Sequence, residues 1–118
     1  MSDMVNSPSH YTQAGASLEP IDVIRDCPFD LGNVIKYTSR AGHKDEELQD
    51  LRKAKRYVTW AAETYAQNAK HYEEWAMNKM LLLRKLRPFK HLNCYTAKKL
   101  IVELERMIDN RLKDLEDK

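Results

Sequence analysis

The chain has 118 residues with 20 Lys+Arg against 18 Asp+Glu, a net charge of +2, so nothing marks it as a general nucleic-acid binder. With 42% hydrophobic and 32% charged residues, three Gly and four Pro, it reads as one soluble, helix-rich domain and not as a collagen, a linker or a disordered tail. Its longest apolar runs, such as Met80-Leu81-Leu82-Leu83, fall far short of the ~20 residues of a membrane span, and the N-terminus shows no basic-then-apolar leader pattern.

The first eighteen residues hold Asn6, Ser7, Pro8, Ser9, Gly15 and Ser17 without periodicity, and they read as an irregular arm. A short helix is predicted from Pro20 to Asp26, because proline suits a first helical position and the residue before a proline, here Cys27 before Pro28, avoids helical dihedrals. A second runs from Asp30 to Arg40, burying Val34, Ile35 and Tyr37, with Gly42 placed for a left-handed turn after its end. Gly32 inside it costs ~1 kcal/mol against alanine, so another helix or a ligand comes close to the backbone there. The third helix starts near Asp45, a good capping residue, with Glu46 and Glu47 favourable at the N-terminal dipole. No Gly or Pro then occurs before Pro88. Leu48, Leu51, Ala54, Val58, Ala61, Tyr65, Ala69, Tyr72, Ala76, Met80, Leu83 and Leu86 recur at helical spacing. Unbroken, that helix would be ~60 Å long, so it either breaks around 67–72 or projects and packs on another subunit; the second is expected. A fourth helix runs from after Asn93 to Leu115, with Leu100, Ile101, Leu104, Met107, Ile108, Leu112 and Leu115 as its apolar stripe. The predicted fold is all-α: short N-terminal helices, then a long C-terminal helical hairpin.

No P-loop, dinucleotide fingerprint or nucleophile elbow is present. Cys27 and Cys94 stand far apart, which suits a reducing cytoplasm and argues against a disulfide framework. His10, His43, His71 and His91 lack zinc-ligand spacing. Trp60, Tyr65, Tyr72 and Trp75 at helical spacing read as core or subunit contact, and the alternating charges from Arg106 to Asp117 as a solvated face. Chemistry concentrates between Pro8 and Tyr57. Asn33, Lys36 and Arg40 share one face of the second helix, and Gly42, His43 and Lys44 come next, in the turn. Arginine grips phosphate oxygens with a two-pronged fork, lysine adds a point charge, and a helix start offers free N–H groups. The acidic residues Asp45, Glu46 and Glu47 oppose an anion there. The same face also reads as a solvated surface laced with pairs such as Asp50 with Lys53.

Residues 7–63 resemble a family of small tailed-phage proteins of unknown function, whose characterised relatives include a phage deoxynucleoside monophosphate kinase without a P-loop. The resemblance is carried by Pro8-Ser9-His10-Tyr11, Ile21-Asp22-Val23-Ile24, Phe29, the run Leu31 to Tyr37, Arg40-Ala41-Gly42 with Lys44, and Asp50-Leu51-Arg52-Lys53-Ala54 with Tyr57. His43 stands where the family more often has lysine, and residues 66–118 match nothing in it.

The resemblance implies a nucleotide-binding region over 1–65; residues 66–118, outside it, are expected from their spacing to form a helical hairpin for homo-oligomerisation. The resemblance also implies catalytic roles for His10, Lys36 and Arg40, and nucleotide or phosphate contacts from Tyr11, Asn33, Lys36, Tyr37, Arg40, Lys44, Asp50 and Lys53. His10 would carry a proton or touch phosphate, and Tyr11 would meet a base or sugar. Asn33 would read a base edge or a phosphate. Asp22 or Asp50 would orient a basic residue, bind a ribose hydroxyl or hold Mg²⁺. The expected activity is phosphorylation of deoxynucleoside monophosphates in the cytoplasm of an infected bacterium. Three alternatives stay open: a non-catalytic protein that sequesters nucleotides, an all-α nucleotide pyrophosphohydrolase using Glu46, Glu47 and Asp50, and a partner-binding helical protein.

Overall fold

The computed structural model describes residues 18–43 and 46–117. The expected arm, with His10 and Tyr11, and also Lys44 and Asp45, lie outside the described residues. Four α-helices and one 3-10 turn make up the rest: α1 (Pro20–Ile24), α2 (Phe29–Arg40), α3 (Glu47–Leu83), the turn Arg87–Phe89, and α4 (Ala97–Glu116). Among the described residues there is no strand. The all-α expectation holds, and helix starts and ends fall within a few residues of the predicted ones.

Local chemistry accounts for the short elements. Pro20 opens α1, where its missing N–H costs nothing, and the Glu19 N–H donates to Asp22 Oδ2 at 2.8 Å. The chain then turns through Asp26, whose φ of 65° is one that aspartate tolerates better than most residues, and Pro28 caps α2. Gly42 sits at φ +90° just past α2, as the left-handed turn requires.

Gly32 is buried in α2, against the end of α1 and the turn that follows it. A Cβ there would meet Cys27 Cβ at 3.7 Å and Ile24 Cβ at 3.8 Å, which is ordinary contact. Gly32→Ala should therefore fit, removing the helix cost of glycine and raising stability by about 0.5–1 kcal/mol. A thermal melt reading a midpoint a few degrees higher would bear this out, and a lower midpoint would show the turn cannot accommodate the methyl.

The long helix is not straight. Thirty-seven residues at ~1.5 Å each would reach ~56 Å, yet the molecule's longest dimension is 47 Å. Asn68, at φ −133° and ψ 31°, breaks the helical dihedrals and kinks α3 between residues 47–67 and 69–83. Asparagine is a weak helix former, and its side chain competes for the backbone. The expected projecting helix is thus corrected: Tyr72, Trp75, Ala76, Met80 and Leu83 are buried in the chain's own core. Residues 69–83 cover α1, where Trp75 Nε1 donates to Val23 O at 2.9 Å and Lys79 Nζ to Asp22 O at 3.2 Å. That burial is what the bend gains.

Helix α4 runs antiparallel along residues 47–73. Thr96 caps it by accepting from the Lys99 N–H. Leu100, Ile101, Leu104 and Ile108 are buried as its stripe predicts, with Met107 and Leu112 packed at the margin. On the surface Lys55 Nζ bridges to Glu105 Oε2 at 3.0 Å and Asp109 Oδ1 at 2.9 Å. Every helix feeds the same hydrophobic cluster, so the residues after 65 complete the core begun by those before it.

Candidate functional site

Helices α2 and α3 lie side by side in opposite directions, which brings two stripes of candidate side chains together. On α2 the stripe is Phe29, Asn33, Lys36, Tyr37 and Arg40; on α3, read backwards, it is Trp60, Tyr57, Lys53 and Asp50. The steps of three and four along each helix keep each stripe on one face. Thr64 Oγ1 donates to Asp30 Oδ2 at 3.2 Å, fixing the register at one end. Arg40 meets Asp50 at the other.

The charged end is built around a buried carboxylate. Asp50 is 2% exposed, and Arg40 Nε lies 3.4 Å from its Oδ2, while the arginine side chain is 42% exposed. Asp50 thus meets the guanidinium at its Nε edge, and the arginine side chain as a whole stays partly open to solvent. Of the basic residues that Asp22 or Asp50 is expected to orient, Arg40 is the one paired with Asp50. Its pairing with Arg40 replaces the surface pairing with Lys53. Asp50 Oδ2, Thr38 Oγ1 and Ser39 Oγ are buried without a hydrogen-bond partner of their own; the 3.4 Å ion pair serves Asp50 electrostatically rather than as a well-formed hydrogen bond.

The middle of the face is a cation–aromatic cluster. Lys36 Nζ lies 5.2 Å and Lys53 Nζ 5.4 Å from the centre of the Tyr37 ring, one lysine from each helix. The Tyr37 ring lies parallel to Tyr57, with centres 6.0 Å apart and planes 9° off. Phe29 and Trp60 stand steeply across the plane of Tyr57, with ring centres 5.8 Å and 5.4 Å from it. Phe29 is 71% exposed and Trp60 45% exposed, so the far end of the strip shows aromatic surface to water. Asn33 spends one amide N–H on Phe29 O at 2.9 Å.

Of the expected site residues, the structure brings Lys36, Tyr37, Arg40, Asp50 and Lys53 together and places Asn33 along the same helix. Phe29 and Trp60 escaped the functional reading of the sequence. Their signal was positional, since Phe29, Asn33 and Tyr37 recur at i+4 outside the buried stripe of α2. Glu47 is turned to Arg111, at 3.4 Å. Among the described residues no group of three or more His, Cys, Asp or Glu side chains is placed to hold a metal ion. Burial pushes both cysteine thiols up from their ordinary range, which keeps them protonated and unreactive. A separate shallow cleft of about 250 Å³, lined by Arg25, Asp26, His71, Glu74 and Lys79 among others, contains none of the expected site residues.

Residues 5–59, just under half of the chain, match the model of a protein family of unknown function, DUF3310. No curated protein matches the chain, and no solved structure does. The matched segment carries α1, α2 and the part of α3 that holds Asp50, Lys53 and Tyr57, and so nearly all of the strip. Among the described residues no helix is long and apolar enough to cross a membrane.

Proposed function

We propose that this chain binds a nucleotide along the α2–α3 strip and acts there as a deoxynucleoside monophosphate kinase. The observation that carries the binding is the convergence of Lys36, Lys53 and the Asp50-held Arg40 on one edge of an exposed aromatic strip. Cations at one end suit phosphate oxygens, and exposed rings at the other suit a base, because any base presents a π-face for stacking. The kinase activity rests on the resemblance of residues 7–63 to a family whose characterised relatives include a phage kinase without a P-loop.

In that reading the terminal phosphoryl group of a triphosphate donor passes to a phosphate oxygen of the monophosphate. The donor's P–O bond breaks as the new one forms, and two diphosphates result. Such a transfer asks for alignment and charge neutralisation more than for covalent help. Arg40 would offer Nη1 and Nη2 as a fork, while Lys36 and Lys53 would neutralise from the two sides. Mg²⁺ would enter as part of the donor triphosphate, and no step is assigned to a metal held by carboxylates of the protein.

The test is a chromatographic assay of each deoxynucleoside monophosphate with a panel of triphosphates and Mg²⁺, paired with a binding titration. Diphosphate formation by the wild type is expected. Lys36→Ala with Lys53→Ala, both outside the core, should weaken binding about tenfold without loss of fold, because charge-assisted contacts are worth ~1.5–3 kcal/mol before solvent screening. Arg40→Lys should weaken it further by losing the fork. Binding without turnover would leave a sequestering protein, and absence of binding would overturn the reading.

A further inference from the structure

One guanidinium outside the strip grips both of its charged halves from behind. Arg111, on the last turns of α4, donates from Nη1 to Thr38 O at 3.5 Å and from Nη2 to Ala41 O at 3.4 Å. Those two carbonyls flank Arg40 in the chain and belong to the end of α2, where backbone oxygens lack helical partners. The same Nη2 lies 3.4 Å from Glu47 Oε2, on the first turn of α3, three residues before Asp50. Gly42, at φ +90°, lets the connecting turn pass close by: a Cβ there would stand 3.8 Å from Arg111 Nη2. Each bond is long, but the three come from one planar group held between two helix ends.

Lysine could not reproduce this. A point charge on a flexible stem reaches one acceptor at a time, whereas the guanidinium fork sets the spacing of several. The spacing that matters is between the backbone bearing Arg40 and the backbone bearing Asp50, because it sets the 3.4 Å ion pair that holds Arg40 by its Nε.

We propose that Arg111 is a positioning residue of the nucleotide strip, holding the end of α2 against the start of α3 so that Asp50 can orient Arg40 toward a phosphate. The functional part of this rests on the nucleotide reading above; the geometric part stands without it. It also gives the C-terminal half of the chain a role in the site. Residue 111 lies beyond the segment that matches the family, so the strip is assembled by the matched segment and braced by the unmatched one.

Two measurements on the full-length chain decide this. The first is a pair of crystal structures, wild type and Arg111→Ala. The separation of Arg40 Nε and Asp50 Oδ2 should grow past 4 Å in the variant while α4 stays in place. A separation unchanged from the wild type overturns the proposal with or without any ligand. The second is titration with the four deoxynucleoside monophosphates and, as controls, the matching nucleosides. Arg111→Ala should raise the dissociation constant for the monophosphate about fivefold or more and leave the nucleoside unaffected. Arg111→Lys, which keeps the charge and the stem, should fall between and guards against a variant that fails to fold. A widened ion pair with unchanged monophosphate affinity would make Arg111 a structural tie only, and would overturn the proposal. If the wild type binds no monophosphate, the nucleotide reading and the site role fall together, while the crystal comparison still decides whether Arg111 sets the Arg40–Asp50 geometry.

Discussion

Replacing Glu73 by alanine should cost about 2–3 kcal/mol, a large share of the ~5–15 kcal/mol that holds a domain folded. The carboxylate sits just past the kink in α3 and accepts from the Ala97 N–H at 2.9 Å and the Lys98 N–H at 3.1 Å, the first two of α4. From before the kink, Tyr65 Oη donates to it at 2.5 Å. One side chain therefore fastens both arms of the bend and satisfies orphan donors of the next helix. Its negative charge also faces the positive end of the α4 dipole. Alanine leaves those N–H groups and the Tyr65 hydroxyl without their acceptor. Denaturant unfolding followed by helical circular dichroism would read the loss, and a change below about 0.5 kcal/mol would mean solvent replaces these bonds freely.

The same residue gives stability a pH dependence with a definite sign. Burial by itself pushes the Glu73 carboxyl up, but the bonds from Tyr65, Ala97 and Lys98 outweigh it and hold the carboxyl below its ordinary value of 4.5. A depressed carboxyl contributes stability that is present above the unfolded value and is lost as the pH falls through the folded one. The hydrogen bond to Glu73 moves the Tyr65 phenol the other way, above its ordinary 10.0, helped by burial and by the nearby negative charge. That contribution is present below 10.0 and lost as the pH rises past it. The contribution of this pair should thus be flat between the two values and fall on both sides, with the buried thiols adding to the basic limb from their ordinary 9.0 upward. Glu73→Gln keeps the shape and one acceptor oxygen, so it should cost less than alanine and flatten the acid limb. An acid limb unchanged in the glutamine variant would assign it to other carboxylates.

The contrast between α4 and α3 shows what a sequence of this kind reveals. The stripe of α4 is legible because each apolar residue reports on one helix packed on one core, and periodicity alone finds that. The Lys36–Arg40 face is legible for the same reason. The bend at Asn68 is not, since one asparagine in a run free of Gly and Pro carries only a weak penalty, which burial of Tyr72, Trp75 and Met80 decides. Everything that depends on the bend was hidden with it. Glu73 looks like a surface acid until the chain folds back and sets it at the start of α4. Arg111 looks like part of an alternating solvated face, because its acceptors lie about 70 residues away. Trp60, by its spacing a core or contact residue, ends half in water because α3 turns its buried stripe elsewhere.

Trp75 tests that packing most directly. It is 3% exposed, and its indole N–H donates to Val23 O at 2.9 Å, joining the second arm of α3 to α1. Trp75→Ala should cost about 3–5 kcal/mol through the lost burial and the cavity left behind. Trp75→Phe keeps much of the volume and strands a buried carbonyl, a loss of ~1–3 kcal/mol. Both losses should be the same at protein concentrations tenfold apart, because the ring packs on its own chain. A loss that shrinks as protein is added would instead place the ring at a subunit contact. The phenylalanine variant also leaves Trp60 as the one tryptophan of the two in the sequence. That ring stands perpendicular to Tyr57 at the aromatic end of the strip. A nucleotide base stacking there should quench its fluorescence, so the variant that measures the bend also reports on occupancy of the site.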